Sequence, residues 1–262
     1  MTETVRLTIG DGVATLTLDR PAVRNALGPD EWRALDERLD EIAAARNGVR
    51  VVVLEGAGGT FSAGGDLSTM PARLAQPRHV RRANLLRDAQ VIARLTSLPQ
   101  PTVAIVEGAA VGAGLSLALA CDLRYATTTA KLGATFHRIG LTGDFGVLWT
   151  LPRIVGPTRA FELLLGGELV DGTRAEAIGL VTRAYAPERL REEVATVVAR
   201  IVSGPPVALA ATKRGLWRAL EERLETLLAY EAEAQAACSK SEDAQEGVRA
   251  FGEKRAPTFR GR

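Results

Sequence analysis

Residues 102–122 read TVAIVEGAAVGAGLSLALACD, and this stretch decides the fold class. Its first part, TVAIVEG (102–108), is a short apolar run of the kind expected for a strand buried on both faces of a sheet. Its second part, AAVGAGLSLALACD (109–122), predicts a helix of small residues that packs very closely on its neighbours. A strand that leads through glycines into a helix is typical of α/β proteins.

The preceding sequence repeats this alternation of strands and helices. VRLTI (5–9) and VATLTLD (13–19) flank the turn signal GDG and predict a β-hairpin. VRVVVLEG (49–56) predicts another buried strand, and amphipathic helices are predicted over 28–48 and 78–98. The alternation favours an α/β fold with right-handed crossovers.

The sequence after about residue 157 is dominated by predicted helices, the longest over 205–239. One predicted strand, LVTRAYA (180–186), interrupts them. The C-terminal third therefore predicts a helical lobe packed on an α/β core, with long helices suited to contacts between subunits.

Composition and charge argue against nucleic-acid binding and against a disulfide-rich fold. The 262 residues carry a net charge of +2 with both signs interspersed, and the best basic cluster, Arg78–Arg82 (RHVRR), is short. We therefore expect no nucleic-acid partner. The cluster is interpreted as a solvated helix face, with a phosphate contact as the alternative. Cys121 and Cys238 are too few for a disulfide framework, which favours a reducing cytoplasm.

Metal and membrane sites are not expected either. The two histidines, His79 and His137, are far apart and show no metal-ligand spacing. The start, MTETVRLTIG, lacks the apolar core of a signal peptide. The longest apolar stretch, near 109–121, is glycine-rich and shorter than the roughly 20 residues of a membrane span.

Two loops share a design that suits binding of a negatively charged oxygen. FSAGGDL (61–67) and EGAAVGAG (107–114) each follow a predicted strand and precede a helix. Small residues let a ligand approach the backbone, and two such loops could aim two N–H groups at one oxygen as an oxyanion hole. The alternative is that both are tight turns needed for close packing. Neither has the spacing of a phosphate or dinucleotide loop.

Seven segments in order, spanning nearly the whole chain, carry a family resemblance. They are RPAVRNAL (20–27), FSAGGDL (61–67), AIVEGAAVGAGLSLALACDLRYA (104–126), RIGLTGDFG (138–146), LPRIVG (151–156), AEAIGLVTR (175–183) and EGVRAFGEKRAPTFRGR (246–262). The sequence resembles the enoyl-CoA hydratase/isomerase (crotonase) superfamily. Residues 138–156 and the tail are most similar to the ring isomerases of phenylacetyl-CoA breakdown.

The resemblance implies a fold, a substrate class and an assembly. It implies an α/β spiral of ββα units over residues 1–200 and a C-terminal helical lobe over 201–262 for trimerisation and cover of the active site. It implies a coenzyme A thioester substrate, with no separate cofactor. It also implies a homotrimer or a hexamer built as a dimer of trimers.

The resemblance also implies which residues bind the substrate. The backbone N–H groups of Ala63 and Ala113 would be the two oxyanion donors. The loop formed by Ala63, Gly64, Gly65 and Asp66 would lie along the thioester and the pantetheine arm. Ala22 and Arg24 would contact the adenine end, while Phe251 and Lys254 would reach the nucleotide of a neighbouring subunit. Met70, Leu74 and Leu85 either line the acyl pocket or belong to the core.

Asp144 is the candidate base. It stands in IGLTGDFG (139–146) without a cationic neighbour in the chain, and apolar surroundings from Phe136, Leu141, Phe145 and Trp149 would raise its pKa and make it a better proton acceptor. The alternative is a helix N-cap for the following FGVLWTL. The isomerase-like members of the superfamily carry an acid at this position. His137 is interpreted as structural, with assistance in proton transfer as the alternative.

The two glutamates of the superfamily's hydratases are replaced by Ser116 and Phe136. A carboxylate pair suits addition of water, because one group orients the water while the other handles its proton. The preferred hypothesis is therefore an isomerase that shifts a double bond or rearranges a ring. The alternatives are a 2-enoyl-CoA hydratase and a non-catalytic acyl-CoA binding protein.

Overall fold

The computed structural model describes residues 3–45 and 48–262, which form an α/β core followed by helices. Its strands are β1 (Val5–Gly10), β2 (Val13–Leu18), β3 (Val51–Gly56), β4 (Thr102–Val106), β5 (Ala109–Val111), β6 (Leu123–Thr127), β7 (Lys131–Gly133), β8 (Val170–Asp171) and β9 (Arg183–Tyr185). Its helices are α1 (Pro29–Ala44), α2 (Met70–Leu74), α3 (Arg78–Ser97), α4 (Ala113–Leu119), α5 (Val147–Gly166), α6 (Gly172–Ala177), α7 (Pro187–Val202), α8 (Pro206–Ala219), α9 (Leu224–Ser239) and α10 (Glu242–Glu253).

The main sheet has the strand order β1-β2-β3-β4-β6-β9. Its first pair is the predicted antiparallel hairpin, and all other neighbours are parallel. Every residue of β4 is buried, as the apolar run predicted. A second sheet of three strands, β5-β7-β8, lies at the carboxyl side of the β4 segment. The predicted α/β fold is confirmed.

Helix α4 is the closely packed helix that the small residues predicted. All of its seven residues are buried. A Cβ atom on Gly114 would lie 2.7 Å from the Cβ of Ser62, so only glycine lets the helix approach that loop. This contact brings the two glycine-containing loops together.

Several predicted boundaries are wrong in informative ways. The helix predicted over 28–48 ends at Ala44, and the stop expected at Asn47 lies outside the described residues. The helix expected after residue 157 begins already at Val147 and bends at Gly156, whose φ is +77°. The 205–239 stretch forms two helices, α8 and α9, separated at 220–223.

The C-terminal helices are joined to the core through Lys213 of α8. This buried ammonium lies 2.8 Å from Asp122 Oδ2 and donates to the Gln100 carbonyl at 3.0 Å. Trp217 Nε1 donates to the other oxygen of Asp122 at 3.0 Å. The network satisfies a charge pair that burial would otherwise make costly.

No single helix within the described residues is long and apolar enough to cross a membrane. Helices α7 and α8 reach that length and composition only as a pair, which is bent by 107°.

Candidate active site

Three backbone segments run side by side at the centre of the candidate site. Ser62 N–H donates to the Ala109 carbonyl at 2.8 Å, and Val111 N–H donates to the Ser62 carbonyl at 3.1 Å. On the opposite side, Leu27 N–H donates to Gly64 at 2.8 Å and Asp66 N–H donates to Leu27 at 2.9 Å. The loop 62–66 therefore lies like a short strand between 24–27 and 109–113.

The expectation that Ala63 supplies a free oxyanion donor is wrong. Its N–H donates to the carbonyl of Arg24 at 2.9 Å, on the side of the loop that faces away from Ala113. An amide that is already paired in this way has no hydrogen left for a substrate oxygen. The pairing follows from the strand-like conformation of the loop, in which successive backbone groups point to opposite sides.

Gly65 provides the amide that Ala63 lacks. Within the described residues its N–H has no acceptor, and it points away from Leu27, which bonds to Gly64 and Asp66 on either side of it. Gly64 has φ +94°, and a Cβ there would lie 2.5 Å from the Val111 carbonyl oxygen and 3.6 Å from Ala113 N. The loop thus meets the 111–113 segment at van der Waals distance, with the Gly65 amide on that side.

Ala113 carries a second free amide and stays a predicted oxyanion donor. It is the first residue of α4, so its N–H has no acceptor within the helix, and no other described residue accepts from it. The preceding Gly112 has φ +53°, and its N–H is held by the Gly133 carbonyl at 2.9 Å. Gly65 and Ala113 therefore offer two free donors from two loops in contact.

The carboxylate of Asp144 lacks the partners that a buried charge normally has. Its Oδ1 is sealed from solvent and accepts no hydrogen bond from the described residues. Burial raises the pKa of Asp144 from 3.8 to about 6, although the positive charges of Arg73 and then Arg81 act to lower it. A carboxyl with a pKa near neutrality is matched to proton transfer.

Asp144 is not the N-cap of a helix. Helix α5 begins at Val147, its N-cap is Gly146, and no side chain caps it. The carboxylate is therefore not occupied by the backbone amides of α5. This removes the structural alternative to a chemical role.

The backbone of Asp144 is fixed from two directions. Ser116 Oγ, on the same helix as Ala113, donates to the Asp144 carbonyl at 3.0 Å. The next residue, Phe145, is buried with φ +49° and stacks on Trp32 with ring centroids 4.1 Å apart. A bulky residue at positive φ is uncommon, and the stacking holds it there.

Other predicted site residues take supporting positions. Ala22 and Arg24 are exposed beside the 62–66 loop. Asp66 accepts from Ser68, the largest influence that lowers its pKa, and from Arg20 at 2.9 Å. Phe136 is buried, and its Cε1 would lie 3.9 Å from a Cβ on Gly112. It therefore forms an apolar wall beside the second loop.

Several predicted residues are not brought to this site. Phe251 and Lys254 are exposed on and just after α10, away from the two loops of their own chain, and their contact with the nucleotide of a neighbouring subunit stays a prediction. His137 is exposed and packs on Gly167, where a Cβ would lie 1.8 Å from its Cε1. Trp149 stacks on Trp217.

The three residues expected either to line the acyl pocket or to belong to the core differ in their exposure to solvent. Met70 is half-buried, Leu74 is exposed, and Leu85 packs against the core. Of the basic cluster 78–82, Arg78 and Arg82 are exposed, in keeping with a solvated helix face, whereas Arg81 is half-buried.

Sequence reasoning missed Gly65 as the candidate donor and Arg73 as a cation whose charge acts on Asp144. Arg73 lies on α2 and is buried, with only 9% of its surface exposed. Its position in the 67–85 segment, next to candidate pocket residues, was the only signal available.

Comparisons with known proteins agree with these features. The pattern of the family described as "Enoyl-CoA hydratase/isomerase" matches residues 8–262. The "Probable enoyl-CoA hydratase" of Rhodobacter capsulatus is 38% identical over 259 residues, which cover 99% of this chain and 98% of that protein. The (E)-benzylidenesuccinyl-CoA hydratase of Thauera aromatica is 34% identical over 258 residues, covering 98% of this chain and 99% of that protein.

A solved structure shows the same similarity in three dimensions. The crystal structure of an enoyl-CoA hydratase from Polaromonas sp. JS666 matches with a TM-score of 0.92 at 33% identity, covering 98% of this chain and 99% of that chain. The similarity thus extends over whole chains in both sequence and fold. The chain belongs to the enoyl-CoA hydratase/isomerase family and has its crotonase fold.

Proposed function

We propose that this member of the family is an acyl-CoA isomerase, which shifts a double bond or rearranges an unsaturated ring. The thioester oxygen accepts hydrogen bonds from the N–H groups of Gly65 and Ala113. Asp144 removes a proton from the carbon next to the thioester carbonyl, and the negative charge moves onto the thioester oxygen as an enolate. The same carboxyl then returns the proton to a different carbon, so no atoms are gained or lost.

The observation that carries this proposal is the solitary, unpartnered carboxylate of Asp144. It is joined through Ser116 to the helix whose first amide is the second donor. Two preorganised donors that face a developing oxyanion are worth several kcal/mol of transition-state stabilisation, about 2.7–4 for each donor. The arrangement supports the proposal because the two free amides and the Asp144 carboxylate lie on adjoining segments.

One carboxylate suits isomerisation better than hydration. The positions of the two hydratase glutamates hold Ser116 and Phe136, neither of which transfers protons as a carboxylate does. The nearest other acid of the loops, Asp66, is committed to Ser68 and Arg20. A single base can remove and return one proton, whereas addition of water calls for a second group.

Hydration is the second candidate, because the relatives described above are named as hydratases. In that reaction Asp144 would activate water at the β-carbon of a 2-enoyl thioester. The two reactions differ in mass balance: hydration adds one water, and isomerisation adds nothing.

An exchange experiment tests the proposal. The protein is incubated in deuterated water with 3-hexenoyl-CoA and, separately, with crotonyl-CoA, and the thioesters are followed by mass spectrometry. We expect deuterium incorporation and a shifted double bond from 3-hexenoyl-CoA, and loss of both in Asp144→Asn. A mass gain of one D2O from crotonyl-CoA at a comparable rate, with no shift of the double bond of 3-hexenoyl-CoA, would establish hydration instead.

We also propose that the chain assembles as a trimer or as a dimer of trimers. Apolar side chains stand exposed on the C-terminal helices, among them Leu216 at 66%, Val248 at 77% and Phe251 at 88%. Exposed apolar surface of this kind marks a contact between proteins. Light scattering after size exclusion should give three or six times the mass of the chain, and a monomer would contradict the assembly.

A further inference from the structure

Arg73 is a buried cation without a counter-ion. Its residue is 9% exposed, yet no carboxylate oxygen of the described residues lies within 4.0 Å of its guanidinium, and no described residue accepts a hydrogen bond from it. Buried guanidinium groups are normally paired, because an unpaired buried charge is costly. The group therefore lacks an anion that the folded chain does not supply.

Two of the three carboxylates whose charge acts on Arg73 form ion pairs with other arginines. Asp66 lies 2.9 Å from Arg20, and Asp88 lies 2.8 Å from Arg87. Burial and then the positive charge of Arg81 lower the pKa of Arg73, whereas Asp144 is the remaining acid whose charge raises it. Arg81 also has no carboxylate within 4.0 Å among the described residues. Among the described residues, Asp144 is thus the one of these three acids that forms no ion pair, and neither Arg73 nor Arg81 has a paired carboxylate.

The charges of Arg73 and Arg81 both act on the candidate base Asp144. Burial raises the pKa of Asp144, and the charges of Arg73 and then Arg81 act in the opposite direction. Both charges therefore influence this carboxyl. Among the described residues, the side-chain nitrogen and oxygen atoms that are sealed from solvent and lack a hydrogen-bond partner are Arg38 Nε, Gln100 Oε1 and Asp144 Oδ1. No atom of Arg73 is among them, so the unpaired guanidinium nitrogens of this largely buried residue keep some contact with solvent.

We propose that Arg73, assisted by Arg81, binds a carboxylate at the far end of the acyl group, so that the substrates are thioesters of dicarboxylic acids. This inference rests on the proposed function, since it assigns a substrate class to the same site. With the thioester oxygen held by Gly65 and Ala113, the acyl chain passes Asp144 and its distal carboxylate meets the guanidinium. Arginine binds a carboxylate through two parallel hydrogen bonds, which gives geometric selectivity as well as attraction.

Binding of saturated thioesters tests the anion site independently of catalysis. Isothermal titration calorimetry would compare adipoyl-CoA, which ends in a carboxylate, with hexanoyl-CoA, which has the same number of acyl carbons and ends in a methyl group. We expect the protein to bind adipoyl-CoA at least about tenfold more tightly. Arg73→Met should abolish that preference and leave the hexanoyl-CoA Kd within about twofold, whereas Arg73→Lys should retain part of it.

Arg82→Met is the matched control, because Arg82 is exposed on α3 next to Arg81. It should keep the preference. Equal affinity for the two thioesters in the unmodified protein would overturn the proposal. An equal loss of affinity for both in Arg73→Met would overturn it too, because Arg73 would then bind the coenzyme portion. Neither thioester has a double bond, so a failed isomerase assay with an intact binding preference would reject the proposed function alone.

Discussion

Ser116 Oγ lies 3.0 Å from the carbonyl oxygen of Asp144, and this hydrogen bond joins the candidate base to the helix that begins with the candidate donor Ala113. Val147 N–H donates to the same carbonyl at 3.2 Å. Ser116, which stands at the position of a hydratase glutamate, thus connects the loop of the candidate base to this helix. The candidate base and the candidate donor lie on segments that a direct hydrogen bond joins.

Ser116→Ala should separate the position of the base from the binding of the thioester. We expect kcat to fall about tenfold with KM within about twofold, since small displacements of a base are costly in rate while the two amides remain. The loss of one hydrogen bond should lower the free energy of unfolding by about 1 kcal/mol. Steady-state kinetics and chemical denaturation measure both.

The matched control for that variant is Thr150→Val. Thr150 Oγ1 donates to the Gly146 carbonyl at 3.1 Å, close to the same loop, and forms no hydrogen bond to Asp144 among the described residues. It should lose similar stability and keep its kcat. An equal fall of kcat in both variants would show that Ser116 acts through general stability of the loop.

The pH dependence of activity should show a single acid limb near pH 6. Asp144 must be ionised to accept a proton, and burial raises its pKa to about 6. The logarithm of kcat/KM should therefore rise with unit slope below pH 6 and level off above it. Arg73→Met removes a charge that lowers this pKa, so the limb should move to higher pH. A limb near pH 4 would contradict the desolvated base.

The broad architecture and the desolvated setting of Asp144 could be predicted from sequence because both depend on local patterns. The apolar run of β4 and the small residues of α4 determine their burial almost by themselves. Likewise, the apolar residues around Asp144 in the chain predicted a carboxyl whose pKa is raised by burial, which the structure bears out.

The donor from the first loop could not be predicted in this way. Which amide is free depends on the pairing of the loop with a segment almost 40 residues earlier, where the Arg24 carbonyl engages Ala63. The burial of Arg73 likewise arises when α2 packs into the tertiary structure, and its local sequence, MPARL, shows no apolar periodicity that would predict it.

Asp144→Asn should stabilise the fold while it removes activity. The pKa of this carboxyl is raised from 3.8 to about 6 in the folded protein, so its ionisation opposes folding. The cost is fully present above pH 6 and is lost as the pH falls towards 3.8. We expect a gain of about 2–3 kcal/mol at pH 8, which shrinks to about half at pH 5.

Chemical denaturation at both pH values measures this gain. Asp11→Asn, at an exposed carboxylate in the β1–β2 turn, is the control and should change little. If Asp144→Asn destabilised the protein at pH 8, the carboxylate would have a stabilising partner in solution, and its role as a poised base would be lost.

Substitutions at Gly64 and Gly65 should distinguish two requirements of the loop: the close approach to residues 111–113 at Gly64, and the backbone N–H at Gly65. A Cβ on Gly64 would lie 2.5 Å from the Val111 carbonyl oxygen at a φ of +94°, so Gly64→Ala should push the two loops apart and reduce kcat/KM by about a hundredfold or more. No atom lies within 4 Å of a Cβ on Gly65, so Gly65→Ala should fold normally and retain most activity, because its backbone N–H remains. Circular dichroism and kcat/KM of the two variants test this. Comparable losses in both would show that the side-chain space at Gly65, and not only its amide, is used by the substrate.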